Sequence, residues 1–396
     1  MIRILHLITS LGLGGAEATL AQLVARMDRT RFQSSVVVMR SFPALRRPIP
    51  TETVPLYCLQ MRHAIPNPAA LAHLISVLRA ERPQVLQTWM YHADLLGLVA
   101  SRLVRIPRIV WNIRRSFVNM QEHKIITALV LRTLAKLSGL PDVVLTNSLA
   151  GQKTHQALGY DPRRWVWIPN CIDCDRFKPD SEQRLRLRNE LGLAADTPLV
   201  GLVARYLPIK GHDIFIAAAQ ELAAVNRSVH FVLAGRLIDR TNTSLMRSLY
   251  SRGLAGRFHL LGERENIECV LAGLDVACSS SYGEGFPNTV GEAMACGVPC
   301  VVTDVGDSAL LIGSTGKVVP AGNSLALYRS CEQLLSSEEQ RRHFGRCARR
   351  RVEDCFSIRS MVTRYEQLYE ELTDPTFMAQ NRLDNEKDAL SSVHAG

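Results

Sequence analysis

The sequence predicts an α/β protein with two domains, each built around a parallel β-sheet. Short apolar runs, typical of strands buried on both faces, alternate with longer segments of helical periodicity. This alternation occurs twice, on either side of a segment rich in proline and acidic residues at 169–180. The length of 396 residues suits two or three domains of ~100–200 residues each. Together these features favour doubly wound sheets with helices on both faces.

The first half of the chain is predicted to contain seven strands and four helices. The strands are residues 2–9, 34–39, 56–59, 85–89, 109–113, 143–147 and 165–168. The helices are residues 68–81, 93–103, 121–137 and a segment that follows the glycine-rich turn at 10–17 and ends near Met27. That turn exposes backbone N–H groups that could face a phosphate. It does not fit a dinucleotide-binding loop, because Glu17 stands where a small residue is required and Arg40 where an acid would hold a ribose.

The second half continues the same alternation. Its predicted strands are residues 199–204, 230–234, 258–261, 276–281 and 316–319, together with a further strand that follows Pro299. Its predicted helices are residues 182–191, a segment ending near Leu222, and residues 289–296, 325–335 and 361–372. No internal repeat or low-complexity block interrupts this order.

Charge is distributed unevenly along the chain. Residues 1–175 contain 21 Lys and Arg against 10 Asp and Glu, whereas residues 176–396 contain 26 against 27. The excess of base in the first half indicates an acidic partner: an anionic lipid surface, a lipid diphosphate or, with least support, nucleic acid, since aromatic residues for base stacking are sparse. Arginines and a lysine flank two apolar helices here, which could lie on a bilayer or pack in the core with solvated charges: Arg102, Arg105, Arg108, Arg114, Arg115 and Lys124.

The ten cysteines and the apolar runs exclude several classes of protein. The cysteines are scattered, so reduced structural thiols are favoured over a disulfide scaffold or a zinc site. The amino terminus lacks the pattern of a signal peptide, and no run of 18 or more uncharged apolar residues predicts a membrane-spanning helix. A cytoplasmic protein, either free or peripheral on the inner face of the cell membrane, is therefore expected.

Residues 276–305 form the stretch around which the candidate site is organised. A predicted strand ends in a tight turn with two glycines, and Glu284 lies at its tip. Asn288 is predicted to cap the helix that follows, which places Glu292 on its first turns. Because phosphates bind at helix amino ends and ligands bind at strand carboxyl ends, two carboxylates are predicted to flank an anion site.

A second loop supplies positive charge. Arg205 and Lys210 follow a buried strand, five residues apart, and could grip a diphosphate, the arginine through its planar fork and the lysine as a point charge. Gly211 and Asp213 are predicted to turn the chain and cap the next helix. No metal is required in this scheme.

These segments resemble the retaining glycosyltransferases of family 4, which have the two-domain GT-B fold. Glu284 and Glu292 are similar to the family's E-x7-E motif, and Arg205 to Gly211 resembles its G-R-l-x-x-x-K-G signature. The resemblance implies a nucleoside diphosphate sugar as donor. Glu284 and the backbone of the residues that follow it would hold the sugar, Glu292 would hold the ribose, and Arg264 would contact the nucleobase through its backbone. The residues that follow Glu284 in this role are Phe286, Pro287, Asn288 and Thr289, of which Pro287 has no N–H to donate.

The resemblance also implies roles in the first half. Gly14 and Gly15 resemble the family's G-G-x-E loop, which lies opposite the donor diphosphate. Members commonly have a histidine after the strand that corresponds to 109–113, but Asn112 and Arg114 occupy that region here. His92 is the candidate replacement; the alternative is that it caps a helix or is solvated. Asn112, Arg114 and Arg115 are expected to contact an anionic acceptor.

The implied domain organisation is a Rossmann-like acceptor domain at 1–172 facing, across a cleft, a Rossmann-like nucleotide-sugar domain at 173–356. A helix at 357–373 would cross back to the first domain, and a disordered tail would follow at 374–396. The linker resembles the family's P-N-G-I-D-x-x-x-F segment, with Cys171 in place of glycine, and its Asp173-x-Asp175 pair is expected to be structural. After Val305 the family's G-G-x-x-E loop is altered to Gly306-Asp307-Ser308.

The expected function is sugar transfer from a nucleoside diphosphate sugar, a UDP-sugar by family preference, to a glycan or polyprenyl-diphosphate-linked acceptor in envelope polysaccharide synthesis. Two alternatives stay open. A glycoside hydrolase would use Glu284 and Glu292 as acid and nucleophile, but it has no need of the Arg205 and Lys210 clamp. A nucleotide-sugar sensor or inactive partner subunit would fit the missing histidine and the altered loop at Gly306-Asp307.

Overall fold

The computed structural model describes residues 1–12, 14–40, 49–61, 68–116 and 125–375. The predicted tail from residue 376, the start of the predicted helix at 121–124 and Lys124 lie outside these residues. The chain divides into two compact units. The first contains residues 1–147, 151–168 and the chain from Met361 onward, and the second contains residues 148–150 and 169–360.

The first unit contains a seven-stranded sheet in which all paired strands are parallel. The strands are β1 (Ile2–Ile8), β2 (Phe32–Arg40), β3 (Leu56–Met61), β4 (Val85–Trp89), β5 (Arg108–Ile113), β6 (Val143–Thr146) and β7 (Trp165–Trp167). They lie in the order β3-β2-β1-β4-β5-β6-β7. Both faces of a parallel sheet are covered, and β4 is accordingly buried along its whole length.

The second unit contains a six-stranded parallel sheet. Its strands are β8 (Leu199–Val203), β9 (His230–Ala234), β10 (Phe258–Leu260), β11 (Val276–Ser279), β12 (Cys300–Thr303) and β13 (Lys317–Val319). Their order is β10-β9-β8-β11-β12-β13. The strand order reverses between β8 and β11, which is the position where doubly wound sheets bind ligands.

Helices cover the sheets. They are α1 (Gly15–Arg26), α2 (Pro68–Glu81), α3 (Tyr91–Val104), α4 (Ile125–Leu137), α5 (Leu149–Ala157), α6 (Ser181–Glu190), α7 (His212–Val225), α8 (Thr243–Ser251), α9 (Ile267–Gly273), α10 (Asn288–Ala295), α11 (Ser308–Ile312), α12 (Ser324–Leu335), α13 (Glu338–Cys355) and α14 (Ile358–Thr373). None of the helices described is long and apolar enough to cross a membrane.

The last helix belongs to the first unit from Met361 onward, although it follows the second unit in sequence. Its Tyr369 hydroxyl donates to Gln87 Oε1 over 2.7 Å, and its Tyr365 hydroxyl accepts from Asn112 Nδ2 over 2.9 Å. All four side chains are almost fully buried, so these bonds satisfy polar groups that would otherwise destabilise the core. The chain passes between units at 168/169, four residues before the predicted boundary.

Candidate active site

The loops after β8 and β11 meet at the reversal point of the second sheet. β8 and β11 are paired side by side, and β9 and β12 extend the sheet in opposite directions. Because all six strands are parallel, their carboxyl ends share one edge. That edge carries the loop of Arg205 and Lys210 beside the loop of Glu284.

Lys210 and Glu284, predicted from separate motifs, are in direct contact. Lys210 Nζ lies 2.5 Å from Glu284 Oε1, and the Ser281 hydroxyl donates to the same oxygen over 2.7 Å. The side chains of Lys210 and Glu284 are 21% and 12% exposed, so both are largely shielded from solvent. Ser281 was not predicted as a site residue; its position at the end of a strand was the one signal for it.

Glycine at position 211 lets the Lys210 loop approach β11. A short 3₁₀ turn, Pro208–Lys210, ends at Gly211, whose φ is +62°. A Cβ at this position would lie 2.0 Å from the carbonyl oxygen of Ser280, so no side chain fits. The Ser280 hydroxyl donates to the Gly211 carbonyl over 2.8 Å and locks the two loops together. Asp213 does not cap α7 as predicted; its carboxylate accepts from the Tyr282 hydroxyl over 3.0 Å.

The loop after β12 packs against the backbone of Glu284 and Gly285. Gly306 has a φ of +58°, and a Cβ there would lie 2.0 Å from the Glu284 carbonyl oxygen. The Asp307 N–H donates to the Gly285 carbonyl over 2.9 Å. The altered sequence at Gly306-Asp307 therefore still fixes the backbone that carries Glu284.

Helix α10 begins differently from the prediction. Pro287, not Asn288, is its N-cap residue, and no side chain caps the helix. The expected Asn288 cap was wrong because the Asn288 side chain accepts from Asn170 Nδ2 over 2.8 Å instead. The amino end of α10 therefore keeps its partial positive charge without a side-chain cap.

Phe286, Pro287 and Thr289 occupy the turn into α10. Phe286 is 7% exposed, and its ring lies 5.6 Å from that of Phe356, so its side chain is part of the core. Pro287 is also buried and has no N–H to donate, whereas Thr289 is half-buried. Any contact from Phe286 to a donor would thus come from its backbone amide.

Glu292 lies one turn into α10 in a shielded position. Burial raises the pKa of its carboxyl to about 7; the positive charge of Arg176 opposes this shift, and the negative charge of Glu268 adds to it. The group can therefore exchange a proton near neutral pH. The sequence predicted the residue but not this electrostatic setting.

The two predicted arginines of this edge differ in their surroundings. Arg205 directly follows the β8 end and is exposed. Arg264 is held by nearby residues: its guanidinium forms an ion pair with Glu190, and its Nε donates to the Leu261 carbonyl over 3.3 Å. Arg264 thus holds the loop after β10, and its predicted backbone contact with a nucleobase stays a prediction.

In the first unit, Gly14 and Gly15 begin α1, with Gly14 as N-cap. A Cβ on Gly14 would lie 2.2 Å from Glu17 Oε2, and Ser10 Oγ donates to Glu17 Oε1 over 3.3 Å. The carboxylate of Glu17 therefore folds back over the start of the helix. This arrangement differs from the expected open phosphate loop, because an anionic side chain already occupies that space.

The other predicted residues of the first unit are dispersed over different environments. Asn112 is fully buried and holds α14, so the expectation that it contacts an acceptor does not fit this structure. Arg114 is half-buried, and its Nη2 donates to Thr19 Oγ1 over 2.9 Å. Arg115 is exposed, and His92 is half-buried, with a pKa lowered by burial.

The Asp173-x-Asp175 pair has a structural role. Asp173 Oδ1 accepts from the backbone N–H groups of Asp175 and Arg176 over 3.2 and 3.1 Å, which closes a turn. Within the described parts of the chain, no group of three or more His, Cys, Asp or Glu side chains is arranged to hold a metal ion.

Two family models match the chain. Residues 13–176 match "Glycosyltransferase Family 4", and residues 197–337 match "Glycosyl transferases group 1". The two matched regions correspond closely to the two units. The second includes Arg205, Lys210, Glu284 and Glu292.

Relatives extend this result over nearly the whole chain. The chain is 30% identical over 196 residues to N-acetyl-alpha-D-glucosaminyl L-malate synthase of Bacillus anthracis. The aligned region covers 49% of this chain and 50% of that enzyme. The chain is 22% identical over 378 residues to an Escherichia coli UDP-Gal:alpha-D-GlcNAc-diphosphoundecaprenol alpha-1,3-galactosyltransferase, covering 93% and 96%. The crystal structure of Anabaena HepE in complex with UDP superposes with a TM-score of 0.79 at 22% identity, covering 93% and 100%. The chain is a glycosyltransferase with the GT-B fold, matched in its first part by the model of glycosyltransferase family 4 and in its second by that of glycosyl transferases group 1.

Proposed function

We propose that this protein transfers a sugar, with retention of anomeric configuration, from a UDP-sugar to a glycan or lipid-linked acceptor in cell-envelope polysaccharide synthesis. The observation that carries the proposal is the contact of Lys210 and Ser281 with Glu284 at the reversal point of the second sheet. This contact unites a cation and a carboxylate where a doubly wound sheet binds its ligand.

The physical task in such a transfer is to stabilise the departing diphosphate. Lys210 and the exposed Arg205 supply positive charge on one loop, and α10 directs its uncapped amino end to the same edge. Groups that are fixed before the reaction stabilise developing charge without further reorganisation. We propose that these groups suffice and that no metal takes part, so transfer should persist in excess EDTA.

The two glutamates have different tasks in the proposed reaction. Glu284, once Lys210 turns to the diphosphate, accepts hydrogen bonds from the donor sugar, and Glu292 accepts them from the ribose hydroxyls. The acceptor attacks from the face that the diphosphate leaves, and a donor phosphate oxygen takes its proton. No protein nucleophile is needed in this scheme.

The names of relatives support the choice of donor and acceptor. HepE binds UDP in its crystal structure, and the E. coli relative is named for a UDP-sugar donor and a diphosphoundecaprenol-linked acceptor. Relatives are also named for capsular polysaccharide and lipopolysaccharide core synthesis. A polyprenyl diphosphate is an anionic acceptor, which suits the basic first half of the chain.

The alternatives are less favoured. A hydrolase would place two carboxyl groups ~5–9.5 Å apart across one glycosidic bond, with a proton on one of them. Here one of the two candidate carboxylates, Glu284, forms an ion pair with Lys210, a partner that the hydrolase scheme does not need. A sensor without activity is not favoured, because several relatives are named as transferases.

A donor panel with two acceptors tests the proposal. Purified protein is incubated with UDP-, GDP-, ADP- and dTDP-sugars, either with undecaprenyl-diphosphate-linked N-acetylhexosamine or with water alone, and nucleoside diphosphate release is measured. We expect release from a UDP-sugar that depends on the acceptor and leaves an α-linked product. Release of free sugar with water alone would indicate a hydrolase, and binding without release would indicate a sensor.

We also propose that α3 and α4 rest on an anionic membrane at its inner face. Four apolar side chains on these helices are 44–64% exposed: Val99, Leu103, Ile126 and Leu129. Exposed basic residues surround them: Arg102, Arg105, Arg132 and Lys136. The single acidic residue of the two helices, Asp94, is fully buried. An apolar stripe rimmed by cations is typical of surfaces that bind anionic bilayers.

Vesicle binding tests this surface. The double substitution Leu103→Ser and Leu129→Ser should weaken flotation with phosphatidylglycerol-containing vesicles by roughly tenfold or more, because burying one leucine contributes about 1.5–3 kcal/mol. Leu185→Ser is the control, because Leu185 on α6 of the second unit is also exposed, at 48% against 58% for Leu103 and 64% for Leu129; it should bind as the wild type does. Equal loss in both variants, or equal binding to phosphatidylcholine vesicles, would contradict the proposal.

A further inference from the structure

Arg176 links the segment after the unit boundary to the loop that follows β10. Its Nε and Nη2 donate to Glu268 Oε2 over 3.0 and 2.7 Å, and Nη2 also donates to the Glu265 carbonyl over 2.8 Å. Glu268 lies in the first turn of α9, and Glu265 lies in the loop before it. One guanidinium group therefore fixes both the loop and the start of the helix.

Arg176 is itself held in place. Asp173 accepts from its backbone N–H, as described above, and Arg349 of α13 clamps the residues on either side. Arg349 donates to the carbonyls of Cys174 and Phe177 over 3.0 and 2.5 Å, and to that of Ala295 at the end of α10 over 2.7 Å. The direction of the Arg176 side chain is therefore set by the backbone on both sides of it.

Arg176 and Glu268 also act on Glu292. Burial raises the Glu292 pKa to about 7, the Arg176 charge lowers it and the Glu268 charge raises it. Among the described residues, other titratable groups near α10 include the thiols of Cys296 and Cys300, whose pKa values burial raises, and Arg349 on α13. Those thiols are uncharged near pH 7. The charges that shift the pKa of Glu292 are therefore one cation, Arg176, and one anion, Glu268, which bind each other.

We propose that Arg176 is a positioning residue for the nucleoside end of the donor. It fastens the β10–α9 loop through Glu268 and Glu265, and it places a positive charge near Glu292. This inference rests on the proposed function, because it assigns Glu292 to the ribose hydroxyls. A carboxylate accepts two such hydrogen bonds, whereas a protonated carboxyl competes as a donor. Keeping Glu292 charged therefore favours nucleotide binding.

The two effects of Arg176 can be separated by substitution. Arg176→Gln removes the charge and the paired bonds, whereas Arg176→Lys keeps the charge but cannot bond Glu268 and Glu265 through a planar fork. Glu268→Gln removes the negative charge that opposes ionisation of Glu292. Arg342→Gln, which breaks the exposed Arg342–Glu338 pair in the same unit, is the matched control.

The experiment is titration calorimetry of UDP binding from pH 5.5 to 8.5, in each variant and in the wild type. Wild-type affinity should fall as the pH drops through the Glu292 pKa, because the folded-state pKa is raised and the proton competes with binding. Arg176→Gln should move this midpoint to higher pH and weaken binding roughly tenfold at neutral pH. Glu268→Gln should move it to lower pH, and Arg176→Lys should weaken binding at an unchanged midpoint.

If Arg176 had a purely structural role, Arg176→Gln would weaken binding equally at all pH values, and that result would overturn the inference. A midpoint that moves in the same direction in Arg176→Gln and Glu268→Gln would also overturn it. Glu292→Gln should remove the Glu292 midpoint and leave only the titration of the terminal phosphate of UDP, whose second pKa is about 6; a midpoint near pH 7 that persists in that variant would refute the assignment. Failure of the wild type to bind any of UDP, GDP, ADP or dTDP would refute the proposed function, and this inference with it.

Discussion

Replacement of Lys210 by alanine should lower kcat/KM for sugar transfer by about 10²–10³, the usual cost of removing one preorganised group that stabilises a departing anion. The Lys210 ammonium contacts Glu284 in the structure, at the edge where we place the diphosphate. The variant loses the charge that would meet the leaving group. It also leaves the shielded Glu284 carboxylate without its cation, so kcat should fall as well as donor affinity.

Lys317→Ala is the control for that variant. Lys317 begins β13, and its ammonium lies 5.3 Å from the centre of the Phe344 ring, at the opposite end of its strand from the candidate site. It should retain wild-type kcat/KM, measured by UDP release with saturating acceptor. A Lys210→Ala enzyme within about threefold of the wild-type kcat/KM would show that the diphosphate is stabilised elsewhere.

Asp275→Ala should lower the free energy of unfolding of the second unit by about 3–5 kcal/mol, because it leaves a buried cation without its partner. The Arg188 side chain is fully buried, and its Nη2 lies 2.8 Å from Asp275 Oδ2. Asp275 also pairs with Arg184 over 2.7 Å and accepts from the Leu199 N–H over 2.8 Å. One carboxylate thus joins α6 to the starts of β8 and β11.

Urea denaturation followed by fluorescence and circular dichroism measures this effect. The double variant Arg188→Met and Asp275→Leu should recover most of the lost stability, since replacing both charges with apolar groups removes the uncompensated cation. Glu338→Ala, at the exposed pair with Arg342, should be indistinguishable from the wild type. A small loss for Asp275→Ala, comparable to that of the surface control, would contradict the buried-pair interpretation.

Much of the fold was predictable because it depends on local signals. Helix Pro68–Glu81 and strand Val85–Trp89 have the predicted bounds, since proline starts the helix and the short strand-like segment follows it after Pro83. The switch between helical and extended periodicity also predicted the parallel sheets.

The prediction omitted several helices, among them α13 and α5, whose sequences are rich in charged or polar residues. α13 is strongly charged, and its buried residues are Gly345, Ala348 and Val352. A Cβ on Gly345 would lie 2.0 Å from the Gly297 carbonyl oxygen, so this helix packs by close backbone approach and not by large side chains. Helix α5 was also missed, because its sequence is polar, with only Gly151 and His155 buried. Tertiary packing, which a single sequence does not display, stabilises both.

Residue type and loop position were enough to predict some residues of the candidate site. Residues whose role depends on contacts with distant parts of the chain could not be predicted. Lys210 and Glu284 are recognisable from their turns, and the structure brings them together. The fit of Gly306 against the Glu284 carbonyl and the fold-back of Glu17 depend on neighbours distant in sequence or on side-chain direction. Asn112 lies at a strand end as predicted, but the packing of α14 turns it into a core residue.

The most direct test of the proposed site is a crystal structure of the protein with UDP bound. We expect the diphosphate to contact Lys210, Arg205 and the amino end of α10, with the ribose hydroxyls on the Glu292 carboxylate. UDP bound with its phosphates away from Lys210, or at an edge of the second sheet other than the carboxyl ends of β8 and β11, would contradict the assignment.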